Sequence, residues 1–221
     1  MLSKLQTYRF EIFFFSICAI LFGSLIFPID VFNTIISPIL FLINILSGIV
    51  IFSGRQKQSW ITLILFFIAL IVFLYRFVSH SEDETLDYIK LVIYFTFYSL
   101  VTFEIIRQVW NAKTVNKNVI FGLMSGYIAL GLLGFFAFIS IELSAPNSFS
   151  GLLEYGTIND KMDQLLYYSY ITLMTIGYGD IIPVTNVAQK ASMFFAMMGQ
   201  FYLVIITAVV IEKYMRYNRN S

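Results

Sequence analysis

The chain has 221 residues, 59% of them hydrophobic and only 12% charged, with mean hydropathy +0.82 and a net charge of +1. Soluble domains carry about 25% charged residues, so the composition excludes an ordinary soluble globule and expects most of the chain to lie in a lipid bilayer. The charge balance offers no basic surface for nucleic acid, the lone Cys18 excludes an intrachain disulfide or a CxxC motif, and the single His80 is a poor basis for a zinc site.

An apolar run of about 20 residues crosses the hydrocarbon core as a helix. Six runs meet this length, at 10–27, 31–52, 60–78, 88–109, 119–141 and 188–211. The first follows Lys4 and Arg9 as a signal peptide would, but it is too long for an ordinary h-region and no small-x-small cleavage site ends it. The fold class expected is therefore an all-α membrane protein with six transmembrane helices.

Charge placement orients the runs. Lys4, Arg9, Arg55, Lys57, Arg107, Lys113, Lys117, Lys213, Arg216 and Arg219 fall on one side if all six runs cross. The positive-inside rule makes that side cytoplasmic and puts both termini there. Asp30, Glu82, Asp83, Glu84, Asp87, Glu142, Glu154, Asp160 and Asp163 fall on the other side. The expected location is the plasma membrane, in a multi-pass arrangement.

Between the fifth and sixth runs the parity leaves a segment that enters and leaves on the outer side. A polar loop at 143–157 contains Pro146, Gly151 and Gly156, and Asn159 and Asp160 offer N-caps for a helix over 162–174. At about 13 residues that helix is too short to span. Its C-terminal end, negative by the helix dipole, would point toward the centre of an ion path. The returning limb reads Thr175-Ile176-Gly177-Tyr178-Gly179-Asp180. An ordinary strand alternates its carbonyl directions, whereas glycine at alternate positions takes φ > 0 at little cost and turns successive carbonyls to one side. Such carbonyls replace the hydration shell of a cation. The Thr175 hydroxyl adds an inner oxygen, and Asp180 raises the local cation concentration at the outer mouth. Taken alone, Gly-Tyr-Gly-Asp is also a plain turn. Its place between two apolar runs is what argues for a selectivity filter. Irregular backbone at membrane depth must be buried in protein or line water, so assembly around this limb is expected.

Residues 119–214, with Tyr167-Tyr168-Ser169-Tyr170-Ile171-Thr172-Leu173-Met174 leading into the filter stretch, resemble the pore domain of the tetrameric potassium channel superfamily, whose filter is built from TVGYG loops. The resemblance implies that backbone carbonyls of Thr175, Ile176, Gly177 and Tyr178 bind dehydrated K⁺. Gly179 and Asp180 would form the outer mouth, with Tyr167, Tyr168 and Thr172 supporting the filter. It also implies four copies around one axis, a C4 homotetramer, with K⁺ as the permeant ion and no cofactor. Tyr178 is expected to point away from the ion path, against pore-helix aromatics. Many family members place tryptophans at the positions of Tyr167 and Tyr168, and here Tyr168 is the expected hydrogen-bond partner of Asp180. Ile171 occupies a position that is acidic in some members. Mid-helix in the sixth run, Gly199 is either a gating hinge or a close-packing residue, and Gln200 is a candidate for a cavity or interface. Ile205, Ala208 and Val209 are candidates for an apolar inner gate.

The expected organisation is a four-helix membrane domain at 1–110, a linker at 111–118 and a pore domain at 119–221. The first domain resembles a voltage sensor, but its fourth run carries only Lys90 and Arg107 near its ends, with Glu104 three residues before Arg107. Steep voltage gating needs several charges per subunit, each worth about 2.3 kcal/mol per 100 mV, so strong voltage gating is not expected. No cytosolic ligand-binding domain is expected in the ten residues after 211. A gating ligand would therefore bind the membrane domains or a partner subunit. Two other readings compete: a non-conducting sensor or regulatory subunit with an inherited pore fold, and an ion-coupled transporter, against which no repeat between the halves is visible. An enzyme is not expected, since no nucleophile–His pair, P-loop or HExxH occurs.

Overall fold

A computed structural model describes residues 6, 8–28, 31–52, 54–79, 84–112, 116–153 and 158–219. Lys4, Asp30, His80, Glu82, Asp83, Lys113, Glu154 and Gly156 lie outside them. The chain is mostly helical. Helix α1 covers Arg9–Phe22 and passes into a 3₁₀ turn at Gly23–Leu25. A π turn at Phe32–Ile36 leads into α2, Ser37–Ile51. Then come α3 (Gln56–Ser79), α4 (Glu84–Asn111) and α5 (Lys117–Ser144). Strand β1, Phe149–Ser150, precedes α6, Ile158–Leu173, and strand β2 is Ile182–Pro183. Helix α7, Asn186–Phe201, passes through a π turn at Tyr202–Ile206 into α8, Thr207–Arg219.

Among the described residues, five helical stretches are long and apolar enough to cross a membrane: Phe32–Ile51, Gln56–Arg76, Thr85–Asn111, Lys117–Ser144 and Asn186–Glu212. They coincide with five of the six apolar runs. The run at 10–27 differs, because its α-helix is 14 residues long, about 21 Å at 1.5 Å per residue. The tightened turn from Gly23 and then Pro28 stop it there. The π turn before α2 has a local cause too. Pro38 has no N–H to give to the preceding turn, and the Ser37 N–H reaches back to the Phe32 carbonyl.

The chain divides into two compact units, 1–126 and 127–221, and α5 runs from one into the other. In the first unit Phe13 and Ile17 of α1, Ile45 of α2, and Phe97, Tyr98, Val101 and Ile105 of α4 have no exposed surface. A polar knot lies within this apolar core. Asn44, fully buried, donates through Nδ2 to Ser16 Oγ at 2.7 Å and accepts the Tyr98 hydroxyl at 2.8 Å. The Ser47 hydroxyl donates to the Asn44 carbonyl at 2.7 Å. Among lipid-facing helices there is no hydrophobic force holding one apolar face to another, so such bonds help fix which helices adjoin.

Charges sit at the two ends of the same unit. Asp87 pairs with Arg76 at 2.6 Å and with Lys90 at 3.1 Å. At the opposite end Glu104, 2% exposed, accepts from Arg107 Nε at 3.0 Å and Nη2 at 2.5 Å, and from Gln108 Nε2 at 2.7 Å. Arg55 stands 3.5 Å from the same carboxylate. Glu104 and Arg107, three residues apart, thus pair on one helix face.

Replacing Tyr98 with Phe leaves the Asn44 acceptor buried and unpaired. The expected loss is about 1 kcal/mol, measured by denaturant unfolding in detergent micelles. No loss would mean that the knot contributes nothing to holding α1, α2 and α4 together.

Candidate ion-conduction site

The second unit is built around α6. Its buried stripe, Leu165, Tyr168 and Ile171, faces inward, at the three-residue spacing that one helix face gives. Phe138 of α5 makes edge-on ring contacts with Phe149, Tyr168 and Phe195 at 5.6, 5.1 and 5.4 Å. Two bonds fasten α6 to α5: Ser169 Oγ to the Gly131 carbonyl at 2.6 Å, and the Tyr170 hydroxyl to the Ile128 carbonyl at 2.8 Å. Helix α6 has 16 residues and starts at Ile158. It is therefore longer than the predicted 162–174, and Asn159 and Asp160 lie in its first turn rather than capping it.

The exit from α6 is a Schellman-type cap. The Thr175 N–H bonds the Thr172 carbonyl at 3.0 Å, and the Ile176 and Gly177 N–H groups reach back to the Ile171 carbonyl at 2.8 and 3.3 Å. Positive φ then recurs at every second residue: Thr175 at 57°, Gly177 at 57° and Gly179 at 81°. The glycines tolerate this freely. Thr175 is β-branched and does not, at a cost of about 1–2 kcal/mol. Strain held at one residue by the surrounding structure is a recurring mark of functional backbone. The segment is open on its other side: all of 174–180 is exposed, with Ile176 at 48% and Tyr178 at 70%.

Asp180 is held from behind, and not by the residue expected. Its Oδ2 accepts the Tyr167 hydroxyl at 2.8 Å, and Oδ1 accepts the Ile181 N–H at 3.0 Å. That hydrogen bond, with the carboxylate's charge, pushes the Tyr167 hydroxyl above the ordinary tyrosine range. Tyr168, the expected partner, is 4% exposed and points into the aromatic cluster. Its hydroxyl meets Ser192 Oγ at 2.7 Å. Ser192 in turn donates to the Ala188 carbonyl at 2.8 Å, so Tyr168 is the donor between them. Neighbouring residues on a helix point about 100° apart, and the buried stripe through 165, 168 and 171 leaves Tyr167 facing Asp180. Tyr178 is exposed within the single chain.

Two anchors of this site are not among the expected residues. Glu142, 3% exposed, accepts the N–H groups of Asn147, Ser148 and Phe149 at 3.0, 2.9 and 3.3 Å, with Lys161 Nζ 3.7 Å away. It clamps the loop after α5. Read only as outer-side charge, it gives no sign of that role; its place just before the Pro146-Asn147 turn was the available signal. The clamped loop holds the outgoing limb. Phe149 pairs with Pro183 and Ser150 with Ile182, and the Val184 N–H bonds the Ser148 carbonyl at 2.9 Å. Thr185 then caps α7 through the Ala188 N–H at 3.3 Å. The other anchor is Tyr127, whose hydroxyl lies 3.5 Å from the Leu173 carbonyl at the end of α6.

Gly199 packs against that same carbonyl. A Cβ added to it would stand 2.2 Å from the Leu173 oxygen. Gln200 is exposed, as are Ile205 and Ala208, while Val209 is half-buried. Among the described residues no group of three His, Cys, Asp or Glu side chains is placed to hold a metal ion. A cation at this site would meet chiefly main-chain oxygens.

A family model described as an ion channel matches residues 123–216, a little under half of the chain. No curated protein and no solved structure gives a significant match. The match supports an ion channel family. Together with the apolar helices, it supports an ion channel seated in a membrane.

Gly199→Ala forces a methyl group against main-chain oxygen, which cannot rotate away. The expected loss is about 1–3 kcal/mol, as for other overpacked sites, read by denaturant unfolding in detergent. Gln200→Ala, at an exposed neighbour, should change stability by less than about 0.5 kcal/mol. Equal effects would contradict the close-packing role of Gly199.

Proposed function

We propose that the protein is a potassium-selective channel that conducts K⁺ passively, with Thr175, Ile176, Gly177, Tyr178, Gly179 and Asp180 as its selectivity filter. One observation above all supports this: positive φ at Thr175, Gly177 and Gly179, in an exposed segment that leaves the C-terminal end of a short helix. The ordinary hand at Ile176 and Tyr178 between them gives the alternation that aims successive carbonyls to one side. The carbonyls of Thr175 through Tyr178 bind the dehydrated ion, and the Thr175 hydroxyl completes the inner site. Tyr167, through Asp180, steadies the outer mouth. Thr172 supports the filter through the carbonyl that accepts the Thr175 N–H.

One chain supplies one wall of such a path. Exposed polar backbone is not tolerated against lipid, so the exposed face of 174–180 supports a C4 homotetramer in which neighbouring copies and the ion cover it. In that assembly Tyr178 packs against a neighbouring copy. Six crossings, both termini in the cytoplasm and a plasma-membrane location follow the distribution of basic residues, with 10–27 as the first, short crossing. The channel needs no cofactor. The ion-channel match favours passive transport over catalysis.

Voltage has little to act on in α4. Its two cations each have a carboxylate three residues before them on the same helix, Asp87 for Lys90 and Glu104 for Arg107. Any movement of α4 carries both members of each pair, so the net charge moved is near zero. Opening is then set by something other than voltage, such as an unidentified ligand or subunit.

Proteoliposomes test the first claim. The wild-type chain should take up Rb⁺ against a K⁺ gradient and exclude Na⁺, and Gly177→Asp should cut Rb⁺ uptake by at least about tenfold by placing a carboxylate ring among the ion sites. Equal uptake by both proteins would contradict the filter assignment. No uptake by a folded wild-type protein would favour the alternative of a non-conducting regulatory subunit. Planar-bilayer recordings test the second claim, with an apparent gating charge below about one elementary charge per subunit expected, against the three to four of arginine-ladder sensors.

A further inference from the structure

The pore-lining helix is regular above and below one place. Between Asn186 and Arg219 its α-geometry gives way to a five-residue π turn, Tyr202–Ile206. The hydrogen-bond ladder is uneven on both sides of it. The Tyr202 N–H is shared between the Met198 and Gly199 carbonyls, and the Thr207 N–H bonds Val204, only three residues back. The π turn before α2 is forced by Pro38; no proline lies near this one. Unforced π turns are uncommon and concentrate at functional positions.

Above the turn the helix is pinned at successive levels. Ser192 meets the Tyr168 hydroxyl, Phe195 lies against Phe138, and Gly199 abuts the Leu173 carbonyl. Tyr202 itself, 6% exposed, is the last pin, with its ring 5.5 Å from that of Tyr127. Below the turn Thr207, Ala208, Ile211 and Glu212 are exposed. The helix is thus held above, uneven at 202–207 and exposed beyond except at the half-buried Val209 and Val210.

We infer that the pore-lining helix pivots at the π turn Tyr202–Ile206, against the fixed Tyr127–Tyr202 contact, and not at Gly199. Exchange of the π turn for α-geometry removes one residue's worth of slack and turns the helix below by about 100°. That rotation changes which of Ala208, Val209 and Ile211 face the ion path, while Gly199 and the filter stay in place. The inference rests on the reading of α7–α8 as pore-lining.

The test uses the full chain in lipid nanodiscs and in liposomes, with Cys18→Ser as background. Hydrogen exchange is expected to be about tenfold faster at amides 203–207 than at 192–199, since locally weak ladders open first. The exposed pair Phe201→Cys and Ile205→Cys, joined by a bifunctional benzylic bromide spanning one α turn, should abolish that difference and change Rb⁺ uptake by about tenfold, while the same linker on Met193→Cys and Met197→Cys should alter neither by more than about twofold. Fastest exchange at Gly199, even protection from 192 to 212, or equal effects of the two linkers would overturn the pivot. Absence of Rb⁺ uptake from every preparation, with fast exchange still confined to 203–207, would count against the pore reading and leave the pivot standing.

Discussion

A main-chain carbonyl at membrane depth must have a partner, and a chain that leaves its helix there gives up the partners a helix supplies. From Thr175 to Asp180 this chain leaves α6 and exposes its backbone. On the proposed reading, that shortage of partners is what selects the ion. Oxygens held at fixed positions take the place of water around a cation, and neighbouring copies cover what the ion does not. The positive φ of Thr175 fits this view, because strain at a β-branched residue persists only where the surroundings impose it.

Much of the second unit holds the two limbs of that segment in place. The incoming limb ends in a cap whose carbonyls, Ile171 and Thr172, belong to a helix fastened to α5 by Ser169 and Tyr170. The outgoing limb is fixed by Tyr167 on Asp180, by the β1–β2 pairing, and by the loop that Glu142 clamps. The inner end of α6 is backed by Gly199 and Tyr127. The first unit is organised differently. Its charges pair at the two ends and its middle is fastened by neutral bonds around Asn44. On the proposed reading, this arrangement leaves little net charge for voltage to move.

The amino-acid sequence makes the membrane class and five of the helices legible, because a span is written as uninterrupted apolar length and needs no tertiary partner to be seen. The stretch proposed as the filter stands out in the sequence for a similar reason: its information lies in backbone-permissive residues at fixed spacing. What depends on which way a helix is turned is harder to read. The choice between Tyr167 and Tyr168 as partner of Asp180 is decided by Phe138 and Phe149, which draw Tyr168 inward. The shortness of α1 depends on a 3₁₀ turn beginning at Gly23, in a run whose hydropathy continues past it. Glu142 looks like one more outer carboxylate until the loop folds back to give it three N–H donors. The π turn at Tyr202–Ile206 has no local signature in the sequence.

The most direct test of the central claim is to locate the ion. An experimental structure of the assembled protein in Rb⁺, with anomalous scattering to identify the ion, should show Rb⁺ on a fourfold axis, at levels between the carbonyl oxygens of Thr175 and Tyr178. Replacing Rb⁺ with Na⁺ should empty or rearrange those sites. An assembly without that axis, or anomalous density located away from residues 175–178, would contradict the account.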